Sequence, residues 1–435
     1  MNVDKFTELR AKYDTFVYES FSFDSEGFSF LFRTGEYEFR PVWKWRGLPD
    51  TPLTRYIVFS IGMVELVSYW KCACPPRVLV KCGALNEEQI RWWKKLYFGG
   101  LGEFFYRNGI TTDFDSFMSI ECDNSDVPRF TDIRSERSGA VIPVGGGKDS
   151  IVTLELLSGM RDSSYCFLIN PRETTLGCAH TAGFPDERII APRRSIDPEL
   201  LRRNADGWLN GHTPFSAIVA FSAYLAAVVS GARYIALSNE SSANEGNVSG
   251  SDVNHQYSKS TAFERDFREY CAKWLIAVPE YFSLLRPWTE WRITGEFVKH
   301  PKYFPVFKSC NLGSKNDAWC GKCAKCLYVY IMLAGYLDDE TLHGIFGKDM
   351  LADGTLTDMF DALMFPDLDK PFECVGTREE VNTALAAAVK LREGRKLPVL
   401  LERYAQSEHA APSDISGYFD NDNFVPDELL GLLKC

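Results

Sequence analysis

The chain of 435 residues has no apolar run long enough for a comfortable membrane span. Its longest such stretch, residues 215–229, is broken by Ser216, Ser222 and Tyr224 and reads as a buried helix. An excess of basic residues is also missing. With 48 Lys and Arg against 59 Asp and Glu the formal charge is −11, which argues against a nucleic-acid partner held mainly through phosphate contacts and requires a locally basic pocket for any anionic substrate. The N-terminal residues show neither a basic segment followed by an apolar run nor a small-residue cleavage site, so no secretory signal is expected. Internal repeats and low-complexity tracts are absent. Cysteine is present, but its 13 copies are an odd number and are scattered apart from one cluster near Cys320, the pattern of a reducing compartment, hence the cytoplasm, rather than of a disulfide scaffold.

What is there suffices for real cores: 45% of the residues are hydrophobic, and the length suits two or three domains. Residues 14–45 alternate aromatic and polar positions between Ser-Glu-Gly and Thr-Gly breaks, which predicts an antiparallel β-meander. From 53 to 108 the spacing is helical, with Asn86-Glu87-Glu88-Gln89 opening one helix, and residues 121–138 read as a connector. The rhythm then changes to strand 140–144, helix 149–157 and strand 165–169. It continues with strand 188–191, helix 215–230, strand 233–237, helix 262–275 and strand 282–285. The expectation is an α/β fold, a parallel sheet with helices on both faces, preceded by a smaller α+β domain carrying the meander. The boundaries read as an N-terminal α+β domain over 1–135, a nucleotide-binding α/β domain over 136–340, and a helical segment with a polar tail over 341–435.

Between the strand ending at Val144 and the following helix lie Gly145-Gly146-Gly147-Lys148-Asp149-Ser150. Bare backbone N–H groups at the positive end of a helix dipole suit phosphate, and side chains there would block its approach. The spacing is not that of a Walker P-loop, because Asp149 follows Lys148 where Ser or Thr is required. The segment resembles instead the SGGxDS loop of the PP-loop ATP pyrophosphatases, of the adenine nucleotide α-hydrolase-like fold, with Gly145 in place of the first serine. That resemblance implies ATP cleaved to AMP and pyrophosphate. It gives Gly145, Gly146, Gly147 and Ser150 the pyrophosphate, Lys148 the place of a charge partner or a solvated residue, and Asp149 a role at the helix start or on magnesium.

Two polar segments fall at predicted strand ends. Asn210-Gly211-His212-Thr213-Pro214 precedes a helix; capping explains Thr213 and Pro214 but not His212 or Asn210. The second follows the strand ending at 237, running from Ser238-Asn239-Glu240 to Asn254-His255-Gln256-Tyr257-Ser258-Lys259-Ser260. It reads either as a solvated loop or as a binding segment at the sheet's ligand edge. His212, Glu240, His255 and Lys259 are the candidate acid and base, with Asp149 beside them and Asn239 among the nucleotide-binding residues. His180, His300, His343 and His409 lack such a setting.

These segments, together with Gly62-Met63-Val64-Glu65 and Gly99-Gly100-Leu101-Gly102-Glu103-Phe104-Phe105-Tyr106, resemble the ATP-dependent UDP-N-acetylmuramoyl-L-alanyl-L-glutamate epimerases over residues 16–337. The resemblance implies ATP and Mg2+ as cofactors and that sugar-nucleotide dipeptide as substrate, with neither nucleic acid nor membrane as partner. It implies transfer of AMP to a glutamate carboxylate, so that the Cα proton can leave without a second negative charge forming beside the first. The adenylate could also cyclise through the alanyl carbonyl to an oxazolone. A PP-loop ligase or amide-forming enzyme, and a nucleotide-binding protein without catalysis, are the alternatives.

Cys310, Cys320, Cys323 and Cys326 form C-x9-C-x2-C-x2-C near Lys308, Lys322 and Lys325. Four sulfurs suit tetrahedral Zn2+. The spacing is similar to that of the 7-cyano-7-deazaguanine synthases, with a first gap one residue longer; the other reading is a set of free thiols at a helix start.

Overall fold

The computed structural model describes residues 2–132, 134, 136–245, 257–313, 316–408, 410 and 412–434. Among them twelve strands form two sheets. The first sheet holds β1 (Thr15–Asp24), β2 (Gly27–Thr34), β3 (Tyr37–Phe39), β4 (Val42–Lys44), β5 (Arg77–Val80) and β6 (Ser119–Cys122). The second holds β7 (Ala140–Pro143), β8 (Tyr165–Phe167) and β9 (Ile189–Ile190), while β10 (Arg193–Ser195) returns to the first; β11 (Tyr234–Leu237) and β12 (Glu280–Ser283) complete the second.

Alternation explains the first sheet. Phe16 and Tyr18 of β1 and Phe28, Phe30 and Phe32 of β2 point to one face and are buried under the helix Pro52–Trp70. Tyr18 stacks on Phe59 of that helix at 5.7 Å between ring centroids. Thr51 caps the helix by accepting from Thr54 N at 3.1 Å, and Pro52 fills its first position.

The sheet is mixed rather than purely antiparallel, because β5 joins β1 and β6 joins β5 in parallel. Both were missed in the sequence: β5 lies inside the stretch read as helical, and β6 runs into the presumed connector. Four residues each are too short to display a period. The strand expected over 188–191 is also divided. Ile189 and Ile190 pair with β8, Pro192 follows, and Arg193–Ser195 crosses to pair with β4. Arg194 is tied there to Glu65 of the long helix, Nε to Oε1 at 2.5 Å and Nη2 to Oε2 at 2.7 Å.

The second sheet is parallel throughout, in the order β12-β11-β7-β8-β9, as expected. Its two faces enter different cores. Val141, Ile235 and Tyr281 pack with the helices Phe215–Ser230 and Thr261–Trp274, in one core continuous with the aromatic strands of the first sheet. Ala140, Ile142, Ala236 and Phe282 pack with Lys148–Leu156, Glu290–Phe297 and Ala324–Ala334. The polar tail wraps the second core: Val425, Leu429 and Leu433 are buried, and Arg292 Nη2 donates to the Leu433 carbonyl at 2.7 Å. No helix among the described residues is long and apolar enough to cross a membrane.

This strand order sets the carboxyl ends of β7, β11 and β12 side by side, where such sheets bind ligands. The entry to β7 is constrained. Gly139 has φ +68° and a Cβ there would lie 1.9 Å from the Ser163 carbonyl oxygen, whereas a Cβ at Gly159 meets nothing within 4 Å. Gly139→Ala is therefore expected to destabilise the protein by about 1–3 kcal/mol, and Gly159→Ala by no more than about 0.5 kcal/mol. Urea-unfolding midpoints of the two variants measure the difference.

Candidate active site

The glycine loop joins β7 to the helix Lys148–Leu156. Gly146 has φ +87° and a Cβ there would lie 2.6 Å from Thr174 Cγ2, so the left-handed turn admits only glycine. Gly145 faces open space. Gly147 caps the helix without a side-chain bond, which leaves first-turn N–H groups available to an anion. Lys308 N donates to the Gly146 carbonyl at 2.9 Å, and Ser150 Oγ donates to the Gly147 carbonyl at 2.9 Å. Burial holds the Lys308 amine below its ordinary range. With Arg172, Lys308 gives this side of the site the positive charge that the acidic chain as a whole lacks.

Lys148 turns away from the loop. Its side chain is 2% exposed and its ammonium pairs with Asp149 and with Glu290, the first residue of Glu290–Phe297. Oxygens of Asp149, Glu240 and Glu290 all lie within 4.8 Å of one another. Burial, and then the neighbouring Asp149 charge, push the Glu290 carboxyl up. Burial acts in the same direction on Asp149, but the Lys148 and Lys325 cations outweigh it and hold that group low. Three converging carboxylate oxygens beside the glycine loop fit the hard-oxygen requirement of Mg2+.

The opposite wall is built on Arg286, which is fully buried. Its Nη1 donates to the Glu240 carbonyl at 2.6 Å, its Nη2 donates to the Lys259 carbonyl, and Nη2 pairs with Glu264 Oε2 at 3.2 Å. The two halves of the polar segment are thus brought together. Asn239 Nδ2 donates to Ser283 Oγ at 3.0 Å. Lys259 Nζ reaches Cys374 Sγ at 3.2 Å. A cleft of about 320 Å³ is lined by Gly145, Gly147, Asp149, Ser150, Asn239, Glu240 and Lys259, so most of the residues singled out in the sequence meet here.

Others do not line it. Lys148 and Gly146 sit behind the surface, and His212 lies in the loop before Phe215–Ser230, with Nδ1 3.7 Å from Glu103 Oε2. His255 lies outside the described residues.

The four clustered cysteines converge. Cys310 and Cys323 sulfurs are 3.9 Å apart and those of Cys320 and Cys326 are 3.7 Å apart, all four within 4.8 Å of one another. A tetrahedron with Zn–S bonds of about 2.3 Å has edges of about 3.8 Å. Backbone N–H groups of Gly313 and Lys322 point at Cys310 and Cys320 sulfurs at 3.0 and 3.4 Å, as thiolates require. Within the long first gap Ala318 N donates to the Gly313 carbonyl at 3.2 Å.

Four contributors escaped the sequence reading. Glu290 stands in the first turn of a helix, where an acid is commonplace, although its place after β12 was a usable signal. Arg286 was hidden in an apolar run, Arg172 in a helix start, and Cys374 in the segment given no site.

Comparison with known proteins gives two family matches: the MurL N-terminal domain over residues 7–284 and the MurL C-terminal domain over residues 306–416. A UDP-N-acetyl-alpha-D-muramoyl-L-alanyl-L-glutamate epimerase of Xanthomonas oryzae pv. oryzae is 34% identical over 344 residues, 77% of this chain and 75% of its own. Proteins of the same name from a Micromonospora species and Salinispora tropica are each 34% identical over 412 residues, 90% of this chain and 91% and 89% of theirs. No solved structure matches.

Arg286→Met would leave Glu264 buried without its cation and both carbonyls without a donor. A loss of about 3–5 kcal/mol is expected, partly recovered in Arg286→Met/Glu264→Gln, with urea denaturation as the measurement.

Proposed function

The chain belongs to the MurL epimerase family, and we propose that it inverts Cα of the terminal L-glutamate in UDP-N-acetyl-α-D-muramoyl-L-alanyl-L-glutamate after activating a glutamate carboxylate with ATP. The observation that carries this reading is the shared cleft: a glycine loop, two carboxylates of the cluster and a lysine line one cavity in a chain related along most of its length to named epimerases. The family relation supports the isomerase, and the loop supports the use of ATP.

The chemistry follows from the charges. A carboxylate beside Cα opposes proton loss because a second negative charge would form next to it. Transfer of AMP to that carboxylate removes the charge and lets an ordinary side chain take the proton. The amides of Gly145 and Gly147, with Lys308 and Arg172, would receive the departing pyrophosphate; Gly145 has no hydroxyl to offer, so the grip rests on backbone donors and cations. Asp149 and Glu240, with Glu290 behind them, would hold magnesium, which supplies charge neutralisation on the phosphates when bound. Lys259 then remains as the proton-transferring group in the cleft. Burial alone would lower its affinity for protons, but Cys374 and Glu240 raise it, so it is an ammonium before substrate enters.

Zinc on Cys310, Cys320, Cys323 and Cys326 would be structural, closing the loop that carries Lys308 against the helix Ala324–Ala334. The cytoplasm, where the sugar nucleotide and ATP are found, is the compartment this reading requires, and the described cysteines are all free thiols.

Two measurements test it. With ATP, Mg2+ and the L-glutamate substrate in deuterated water, the products should be AMP, pyrophosphate and the D-glutamate epimer carrying deuterium at Cα, and Glu240→Gln should lower turnover by about 100-fold or more. AMP release that depends on added ammonia would instead identify a ligase, and no AMP at all would leave a binding protein. Metal analysis of the purified chain should find about one zinc per molecule, lost in Cys323→Ala and Cys326→Ala and kept in Glu240→Gln.

A further inference from the structure

Cys374 stands in the cleft without a part in this scheme. It is half-buried and lines the same cavity as Gly145, Asp149 and Glu240. Of the described cysteines only Cys310 also lines that cavity, and Cys310 belongs to the four-sulfur cluster.

The position is imposed from several sides. Tyr106 OH donates to Asp369 Oδ2 at 3.1 Å, and the Tyr106 and Phe372 rings are 5.4 Å apart. Lys370 pairs with Glu245 at 2.5 Å. Lys325 N donates to Glu373 Oε2 at 2.5 Å, and Lys325 Nζ donates to the carbonyl of Cys374 itself. These ties bind residues 369–374 to the N-terminal part of the chain, to the loop after β11 and to the helix of the cysteine cluster. The thiol is thereby presented to Lys259 Nζ at 3.2 Å.

An ammonium in contact with a thiol favours the thiolate. A nucleophile and its activating group within hydrogen-bond reach are the geometry of covalent catalysis. The pair cannot instead be the opposed acid and base on the two faces of Cα, because 3.2 Å leaves no room for a carbon between them.

We propose that Cys374 takes the glutamyl group from the adenylate as a thioester, an inference that rests on the adenylation proposed above. Cys374 Sγ, its proton held on Lys259 Nζ, attacks the acyl carbon; the C–S bond forms as the C–O bond to AMP breaks, and AMP leaves with the electron pair. Sulfur donates less electron density into the carbonyl than oxygen does, so the Cα proton of a thioester is far more acidic than that of a carboxylate. The acyl group also stays attached to the enzyme while Cα is inverted: the Cα proton passes to solvent, its electron pair is held in the thioester enolate, and a solvent proton returns on the opposite face, with Lys259 remaining an ammonium throughout. Water then adds at the acyl carbon, the thiolate leaves with its electrons, and both water protons pass to solvent.

The test is a rapid acid quench of the wild-type enzyme turning over with ATP, Mg2+ and the L-glutamate substrate, followed by proteolysis and mass spectrometry. The peptide containing Cys374 should carry the substrate's acyl mass, removable by neutral hydroxylamine. Cys374→Ala and Cys374→Ser should keep ATP–pyrophosphate exchange within about threefold, which also reports their folding, while epimerisation falls by about 100-fold or more. Epimerisation by Cys374→Ala above a tenth of the wild-type rate overturns the proposal. So does wild-type enzyme that forms the D-epimer with Cys374 unacylated, the outcome an oxazolone route gives. Absence of pyrophosphate exchange in the wild type removes adenylation itself and the thioester with it, whereas exchange without acylation removes the thioester alone.

Discussion

The guanidinium of Arg286 is the constraint on which the site depends. It is fully buried, and a cation there is tolerable only with an opposite charge and hydrogen bonds, which its two Nη groups have while Nε has no partner among the described residues. Glu264 supplies the charge at 3.2 Å and itself accepts from Ser283 N at 2.9 Å, which fixes the helix Thr261–Trp274 against β12. The remaining arms of the fork reach the carbonyls of Glu240 and Lys259. One planar ion therefore sets the separation of two residues that the chain places 19 positions apart. A lysine could not do this, having a point charge in place of a rigid fork.

A second buried cation works on the carboxylates. Lys148 lies in the loop, where a lysine would be expected to meet phosphate, but its ammonium is spent on Asp149 and Glu290. Without it, three carboxylates within 4.8 Å would repel one another strongly in a poorly solvated place. The ion pair keeps them assembled, so the carboxylates are preorganised. With its ammonium so engaged, Lys148 is not available to an anion at the loop, and under the proposed function that task would fall to the backbone amides, Lys308 and Arg172.

Much of this was legible in the sequence where local pattern and tertiary role coincide. The parallel strands, the glycine loop and the four cysteines are each announced by local pattern, and the strand termini moved by at most two positions. Asn239, Glu240 and Lys259 were expected near the ligand edge because they belong to the polar segment after a strand, and they line the cleft. What escaped are residues whose role comes from long-range packing. Strands β5 and β6 are four residues each and acquire their identity from neighbours in the sheet. Arg286 and Glu290 share a short segment after β12, and only the strand order β12-β11-β7 shows that this segment abuts the glycine loop. His212 does not line the cleft, and its loop packs on the N-terminal part, where Lys71 Nζ holds the Gly211 carbonyl.

The C-terminal segment, which carried no chemical signal in the sequence, turns out to complete the cleft. Glu380 of the helix Arg378–Leu391 accepts from Glu290 N at 2.7 Å and from Thr377 N at 2.7 Å, and its burial pushes the carboxyl up to about 7. It thus fixes the backbone of the carboxylate that pairs with Lys148. Cys374 is delivered from the strap just before that helix, and Trp288 and Arg292, on either side of Glu290, donate to the carbonyl of Leu433 near the end of the tail. Each wall of the cavity is therefore held by a different part of the chain: the loop after β7, the segments clamped by Arg286, and the C-terminal strap. A cleft built from parts so distant in sequence is complete only when the whole chain is folded, so the positions of its groups depend on long-range packing rather than on any one local motif.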